Sequence, residues 1–212
     1  MLAVSANHEF LKQYLNDRDA VIAATNSPIS SVISGSIQHL KDIQEELSHK
    51  EIRTKILQVS HAFHSPIFNN AAFKLGNEIN QFNFADAKKV MPLNLTGKED
   101  GQVQINSDYW MQQMVSQVKF KECIDVISSY SPEFWIEIGP KPVLLPMVQE
   151  NCFSSIDNLD QLQNVLIPSL RQGVEDNLTF NEATARLWVS SAPVQFGFQK
   201  SRDINLPKYP FQ

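Results

Sequence analysis

The sequence predicts an α/β fold: a ferredoxin-like small subdomain followed by part of a parallel-sheet domain. Three observations carry this expectation. Over about the first 60 residues the apolar pattern runs β-α-β-β-α-β, the order of a ferredoxin-like module. From His64 onward, short apolar strands alternate with amphipathic helices, as in a parallel sheet covered by helices. In "FWIEIGPKPVL" a strong strand is cut by Gly139-Pro140 and a helix starts directly after it.

The elements can be justified in order. "MLAVSA" is strand-like from its first residue, where a domain ordinarily begins with loose polar residues. "NHEFLKQYLND" is a helix, with Phe10, Tyr14 and Leu15 at helical spacing and Asn7 as N-cap. "AVIAATN" is a second strand ended by the turn "NSP", and "SSVISGS" is a short β-branched third strand. "SIQHLKDIQEELSHK" is a helix with Ile37, Leu40, Ile43 and Leu47 on one face, and "IRTKILQV" is the fourth strand. A module of about 60 residues is near the lower limit of independent stability, so it is expected to lie against something larger.

Beyond His64 the pattern changes. "SPIFNNAAFKLGNEINQF" is an amphipathic helix, with Ser65 as cap and Pro66 in the first turn. "VMPLNLTG" is a short buried strand ending in a turn. "NSDYWMQQMVSQ" and "KFKECIDVISSY" are helices, "EFWIEIGP" a strand, "KPVLLPMVQENC" a helix start and "NVLIPSL" a last strand. These strands are too few to complete a doubly wound domain. The tail holds one helix with Leu178, Ala185, Leu187 and Trp188 as its apolar residues. The extended "SRDINLPKYPFQ" follows, where Pro207 and Pro210 forbid a helix and Tyr209 and Phe211 serve as anchors.

Composition excludes several classes. Among 212 residues, 42% are hydrophobic and 19% charged, and the formal net charge is -5, so a soluble globular protein is expected. No basic stripe stands out, which argues against nucleic-acid binding. No apolar run approaches the ~20 residues of a membrane span. The N-terminus lacks the basic and apolar regions of a signal peptide. Cys123 and Cys152 read as small buried hydrophobes rather than a disulfide or metal pair, and a cytoplasmic location is expected.

The segment "VSHAFHSP" raises the functional question. His61 and His64 stand three apart at the end of a strand, with Phe63 between them and Ser65-Pro66 after. Their position outside a helix, without a Cys or carboxylate at a suitable spacing, argues against a metal site. By themselves they fit two loop histidines as well as a catalytic base. A base requires a nucleophile, yet no G-x-S-x-G, G-x-G-x-x-G, P-loop or C-x-x-C occurs in the chain.

An ordered set of segments nevertheless resembles one family, the acyltransferase domain of modular polyketide synthases, of the malonyl-CoA:acyl carrier protein transacylase type. "MLAV" is similar to the strand opening its small subdomain, and "AATNSPISSVISG" to its "A-x-N-x-P-x-x-x-V-x-SG" hairpin. "VSHAFHSP" resembles its histidine motif, "YWMQQMVSQVKF" its "YW-x-x-x-x-x-x-PV-x-F", and "EFWIEIGPKPVL" its "F-x-EIGP-x-PVL". "INLPKYPFQ" resembles the "LP-x-YPFQ" strap that follows the domain. The set spans essentially the whole chain.

The resemblance implies a fold, a reaction and a site. Residues 1–59 would be the ferredoxin-like subdomain, 60–170 the C-terminal part of an α/β-hydrolase-like parallel-sheet core, and 171–212 the terminal helix and the start of the post-acyltransferase linker. In the family, a serine takes the acyl group from coenzyme A and passes it to the phosphopantetheine thiol of an acyl carrier protein. His64 would be the base, oriented by a backbone carbonyl at Gln113, with Asn94 bordering the site. His61, Ala62 and Phe63 match the malonyl-selecting "HAFH" version, in which Phe63 fills the space an α-methyl group needs. The substrate is then malonyl-CoA, with no covalently bound cofactor and no metal. The partners are an acyl carrier protein, a neighbouring ketosynthase and downstream synthase domains.

The chain departs from the family pattern in one large way: the serine motif and the malonyl-binding arginine, which precede the small subdomain, have no counterpart. No transacylase activity is therefore expected of this chain alone. Two other readings stand beside this one, a complementing half of a split enzyme and a non-catalytic carrier-protein docking fragment. A smaller departure is Gln117, which stands where the family has proline in "PV".

Overall fold

The computed structural model describes residues 1–99, 104–155, 162 and 164–195. The extended stretch expected over 201–212 lies outside them. Four strands, β1 (Leu2–Val4), β2 (Ala20–Ser27), β3 (Ser30–Gly35) and β4 (Thr54–Ile56), form one antiparallel sheet in the order β2-β3-β1-β4. This is the ferredoxin-like arrangement the apolar pattern predicts. The central pairing sets Leu2 opposite Ile33 on one side and Ile56 on the other.

Helix α1 (His8–Leu11) is capped by the Asn7 side chain, which accepts from the Glu9 N–H at 2.7 Å. It tightens into a 3-10 turn over Lys12–Tyr14, so the expected single helix is two short pieces. Helix α2 (Ile37–Ser48) is capped by Ser36 and buries Leu40, Ile43 and Leu47. Ile37, expected on the same face, is 59% exposed at the first position of the helix. Leu2, Val4, Leu11, Ile33, Leu40, Ile43 and Leu47 make the core of this subdomain, each at most 2% exposed.

Gly35 closes β3 in a place where no side chain fits. A Cβ there would lie 2.2 Å from the Asp19 carbonyl oxygen and 2.7 Å from the Ala20 Cα, both backbone atoms that cannot swing aside. Gly35→Ala is expected to destabilise the chain by about 1–3 kcal/mol through overpacking. A lower urea midpoint with an unchanged denaturant slope checks this.

The second part begins with a 3-10 turn over Pro66–Phe68 and then α3 (Asn69–Ile79). Ser65 does not cap this helix. Its hydroxyl donates instead to the Ala62 carbonyl at 2.6 Å. The expected buried strand at "MPLN" is one arm of a hairpin, β5 (Pro92–Leu93) with β6 (Lys98–Glu99). Helices α4 (Ser107–Val115) and α5 (Phe120–Ser129) follow, then β7 (Trp135–Glu137), α6 (Leu145–Cys152) and β8 (Leu166–Pro168). β7 and β8 pair in parallel. Ile124, Leu145, Val148, Leu162 and Leu166 form the core beneath them. Helix α7 (Asp176–Val189) completes the described chain, and its expected apolar residues Leu178 and Trp188 are each 60% exposed.

The two parts are joined along β2. Ala24 bridges Val118 in parallel, through the Thr25 N–H to the Val118 carbonyl at 2.9 Å and the Val118 N–H to the Ala23 carbonyl at 2.8 Å. On α6, Asn151 donates to the Asn26 carbonyl at 2.7 Å, and Glu150 accepts from the Ser27 hydroxyl at 2.6 Å.

Candidate functional site

His64 is held between the exit of the small sheet and the end of α4. The chain leaves β4 at Ile56 and reaches His64 eight residues later. There the His64 N–H donates to the Met114 carbonyl at 3.2 Å, and its Nδ1 lies 3.0 Å from the Gln113 carbonyl oxygen. A carbonyl can only accept, so Nδ1 carries the ring proton and Nε2 keeps a lone pair. Both carbonyls belong to the last turn of α4, where helical carbonyls have no partner within the helix. The helix stops there because Ser116 is extended, at φ -105° and ψ 161°.

His64 itself adopts a left-handed backbone, φ 56°. Histidine is enriched among the few non-glycine residues found there. Such conformations cost of order 1–3 kcal/mol and persist where the surroundings fix them. Here the Ser65 hydroxyl closes the turn on Ala62, and Ser65 is 2% exposed.

The other histidine-motif residues form an aromatic cluster. The His61 ring meets Phe68 edge-on at 5.6 Å, and Phe63 lies 5.2 Å from the same Phe68 ring. His61 and Phe63 are 5.9 Å apart, and His61 Nδ1 also contacts the Ser60 hydroxyl at 2.8 Å. Phe63 remains 37% exposed, so part of the cluster is open to solvent.

Asn94 sits in the β5–β6 turn. Among the described residues its hydrogen bonds run to the start of α5: its carbonyl accepts from the Lys119 N–H at 2.8 Å, and its side-chain oxygen from the Cys123 thiol at 3.4 Å. The structure thus brings His64 and Gln113 into direct contact and places Asn94 on the β5–β6 hairpin, bonded to the start of α5. No group of three or more His, Cys, Asp or Glu side chains that could hold a metal ion occurs among the described residues.

Burial, then the nearby Glu122 carboxylate, pushes the Cys123 thiol up to about 11 from an ordinary 9.0. Because the folded value is raised, the folded chain keeps this proton longer than the unfolded one. Stability is therefore expected to fall as the pH rises from about 9 towards 11. At pH 8, iodoacetamide is expected to spare Cys123 in the folded chain and to alkylate it once guanidinium unfolds the protein. Peptide mass spectrometry of the two samples checks this; equal labelling in both contradicts it.

Sequence reasoning missed the role of Glu137. Read as a strand residue before a Gly-Pro turn, it caps α6 from outside. Its carboxylate accepts from the N–H groups of Val143, Leu144 and Leu145 at 2.9–3.1 Å. The available signal was a helix start without Ser, Thr, Asp or Asn at its N-cap, Leu144, and an acidic residue a few positions upstream.

The structure thus joins a ferredoxin-like sheet along β2 to a parallel α/β element and sets a carbonyl-held histidine at the end of α4. The acyl transferase domain family matches residues 1–193, and the chain belongs to it. It is 29% identical over 196 residues to spectinabilin polyketide synthase system protein NorB of Streptomyces orinoci, covering 90% of this chain and 9% of that protein. It is 28% identical over 204 residues to orsellinic acid synthase armB of Armillaria mellea, again 90% of this chain and 9% of that one. Among solved structures, the acyltransferase domain from the second module of the salinomycin polyketide synthase superposes with a TM-score of 0.80 at 26% identity, covering 92% of this chain and 44% of that one. Malonyl CoA-acyl carrier protein transacylase from Clostridium perfringens shares the fold, with a TM-score of 0.76 at 20% identity, covering 90% of this chain and 58% of that one. The chain thus spans about half the length of these acyltransferase structures. No helix among the described residues is long and apolar enough to cross a membrane.

Proposed function

We propose that this chain is the base-bearing part of a polyketide-synthase acyltransferase domain. The complete domain would transfer a malonyl unit from malonyl-CoA to the phosphopantetheine thiol of an acyl carrier protein. The observation that carries the reading is the 3.0 Å contact between His64 Nδ1 and the Gln113 carbonyl. It does for the imidazole what a carboxylate does in a triad: it fixes the tautomer and leaves Nε2 free to accept a proton.

The chemistry follows from that lone pair. As a serine oxygen bonds to the thioester carbonyl carbon, Nε2 takes the hydroxyl proton. When the C–S bond breaks, the same proton passes to the coenzyme A thiolate. The carrier thiol then enters by the reverse path. The serine belongs to a segment outside these 212 residues, since no G-x-S-x-G occurs within them. Gln113 orients the base, and Asn94 borders the site on the β5–β6 hairpin. His61, Ala62 and Phe63 set the acyl choice, with the Phe63 ring in the aromatic cluster occupying the volume of an α-methyl group. We divide the chain at 59 and 170, because the four-stranded sheet closes by Ile56 and the last strand ends at Pro168. A cytoplasmic synthase with ketosynthase and further domains beside this one is the setting.

A second reading, that the serine arrives on a separate polypeptide, is favoured by the surface around β7. Ile138 is 89% exposed and Ile136 51%, beside half-exposed Val143 and Leu144. Among the described strands β7 pairs only with β8, which leaves one edge open for another strand.

The test uses labelled malonyl-CoA, labelled methylmalonyl-CoA and an acyl carrier protein. The 212-residue chain alone is expected to transfer neither. Fused to an acyltransferase segment that carries the serine and arginine, it is expected to prefer malonyl by about 10–200-fold, and Phe63→Ser is expected to narrow that ratio. Transfer by the chain alone, or no preference in the fusion, contradicts the reading. Restored transfer on simple mixing of the two chains selects the second form.

A further inference from the structure

We propose that the Gln117–Thr25 hydrogen bond is a positioning contact for His64, a proposal that rests on the reading of His64 as the base. Gln117 departs from the family's proline, and the structure shows what stands in its place. Its Nε2 donates to the Thr25 hydroxyl at 2.5 Å, across 92 positions of sequence. Thr25 is 1% exposed and lies in β2, an edge strand of the small sheet. The bond fastens the extended segment after α4 to that edge.

The link to His64 runs through the end of α4. Among the described residues, His64 hydrogen-bonds to the main-chain carbonyls of Gln113 and Met114, four and three residues before Gln117. Those carbonyls are available because the helix ends at Val115 and the chain turns extended at Ser116. Were α4 to continue by a turn, the N–H groups of Gln117 and Val118 would claim the same carbonyls in the i to i−4 pattern. Val118 cannot do so while its N–H donates to Ala23, and the Gln117 side chain, bonded to Thr25, draws the preceding residue onto the same extended path. The clamp therefore works as a helix stop. It keeps two acceptors free, and those acceptors fix the backbone and the tautomer of a histidine that reaches them from β4, the opposite edge of the same sheet. Gln117 and Thr25 are positioning residues, and neither touches the ring.

The geometry accounts for residue type at both ends. A proline at 117 has no N–H with which to extend the helix, so it would end α4 by deletion of a donor. Glutamine keeps the donor and restrains it with a side-chain bond. Thr25, buried in a sheet with an otherwise costly hydroxyl, gains a partner for it.

The experiment measures the tautomer of His64 by long-range nitrogen–proton correlation in the isotope-labelled 212-residue chain at a pH where the ring is neutral. In the unaltered chain the Nδ1–H form is expected to predominate. Thr25→Val and, independently, Gln117→Ala are each expected to shift the ratio of the two tautomers about fivefold towards Nε2–H, in line with the loss of one hydrogen bond. Thr25→Ser, which keeps the hydroxyl, is expected to leave the ratio unchanged. Arg18→Ala, which breaks an ion pair with Glu46 elsewhere in the same subdomain, serves as a control for general loosening. An unmoved ratio in both Thr25→Val and Gln117→Ala overturns the proposal, as does an equal shift in Thr25→Ser or Arg18→Ala. If Thr25→Val does not fold, Gln117→Ala decides alone. The readout involves no catalysis, so it can fail while His64 still proves to be the base. Conversely, loss of the base assignment in a transfer assay leaves the tautomer result standing.

Discussion

His64→Asn in an acyltransferase completed with its serine-bearing segment is expected to lower malonyl transfer by about 10²–10⁴-fold, the usual contribution of a positioned general base. Asparagine is the informative replacement. His64 has a left-handed backbone, φ 56°, which asparagine tolerates and alanine resists by about 1–2 kcal/mol. The amide N–H₂ of asparagine can still donate to the Gln113 carbonyl, so the turn is expected to hold. What it cannot do is take a proton from serine and hand it to a thiolate. Steady-state transfer to a carrier protein, with thermal melting of both proteins, separates lost chemistry from lost folding. His64→Ala is expected to show the same loss of rate plus a lower melting temperature. Transfer by His64→Asn within a few-fold of the unaltered domain would remove His64 from the mechanism.

Glu137→Ala is expected to destabilise the chain by about 2–3 kcal/mol, the cost of a lost helix cap whose acceptor is charged. Glu137 does three jobs that no neighbour duplicates. Its two oxygens satisfy the N–H groups of Val143, Leu144 and Leu145 at the start of α6. Its negative charge faces the positive end of that helix. Its carbonyl accepts from the Ser169 N–H at 2.9 Å, which ties β7 to the end of β8. Only the first two depend on the side chain. Glu137→Gln keeps the shape and one acceptor oxygen but loses the charge, so an intermediate loss of about 1 kcal/mol is expected. Urea unfolding of the three proteins checks the order: unaltered, then glutamine, then alanine. Equal midpoints for all three contradict the capping role.

The small subdomain was legible because its signals are local. Asn7 and Ser36 cap helices by side-chain bonds two and three residues away, and Leu40, Ile43 and Leu47 repeat at helical spacing. The strand order then follows from β-α-β-β-α-β alone. Less legible were features decided by which of several possible partners a group takes. Ser65 looked like a helix cap, yet its hydroxyl donates to the Ala62 carbonyl, and Pro66 offers no N–H to accept from. "MPLN" looked like a core strand, but its partner is the hairpin arm at Lys98–Glu99. The candidate site divides in the same way. The residues of "HAFH" stand out in the sequence as a motif. The left-handed turn at His64 does not, because no glycine or asparagine marks it. The Thr25–Gln117 bond spans 92 positions and leaves no local trace. The carboxylate of Glu137 was visible as part of "EIGP", while its targets, three backbone N–H groups, have no side-chain identity to read.

The most direct measurement of the central claim is malonylation of the serine itself. A segment carrying G-x-S-x-G and the family arginine would be mixed or fused with this chain, given malonyl-CoA, quenched within seconds and analysed by peptide mass spectrometry. A malonyl ester is expected on that serine with the unaltered chain present, and none on the same timescale with His64→Asn in its place. A malonyl ester that forms at the same rate with His64→Asn, or one that forms on this 212-residue chain by itself, would contradict it.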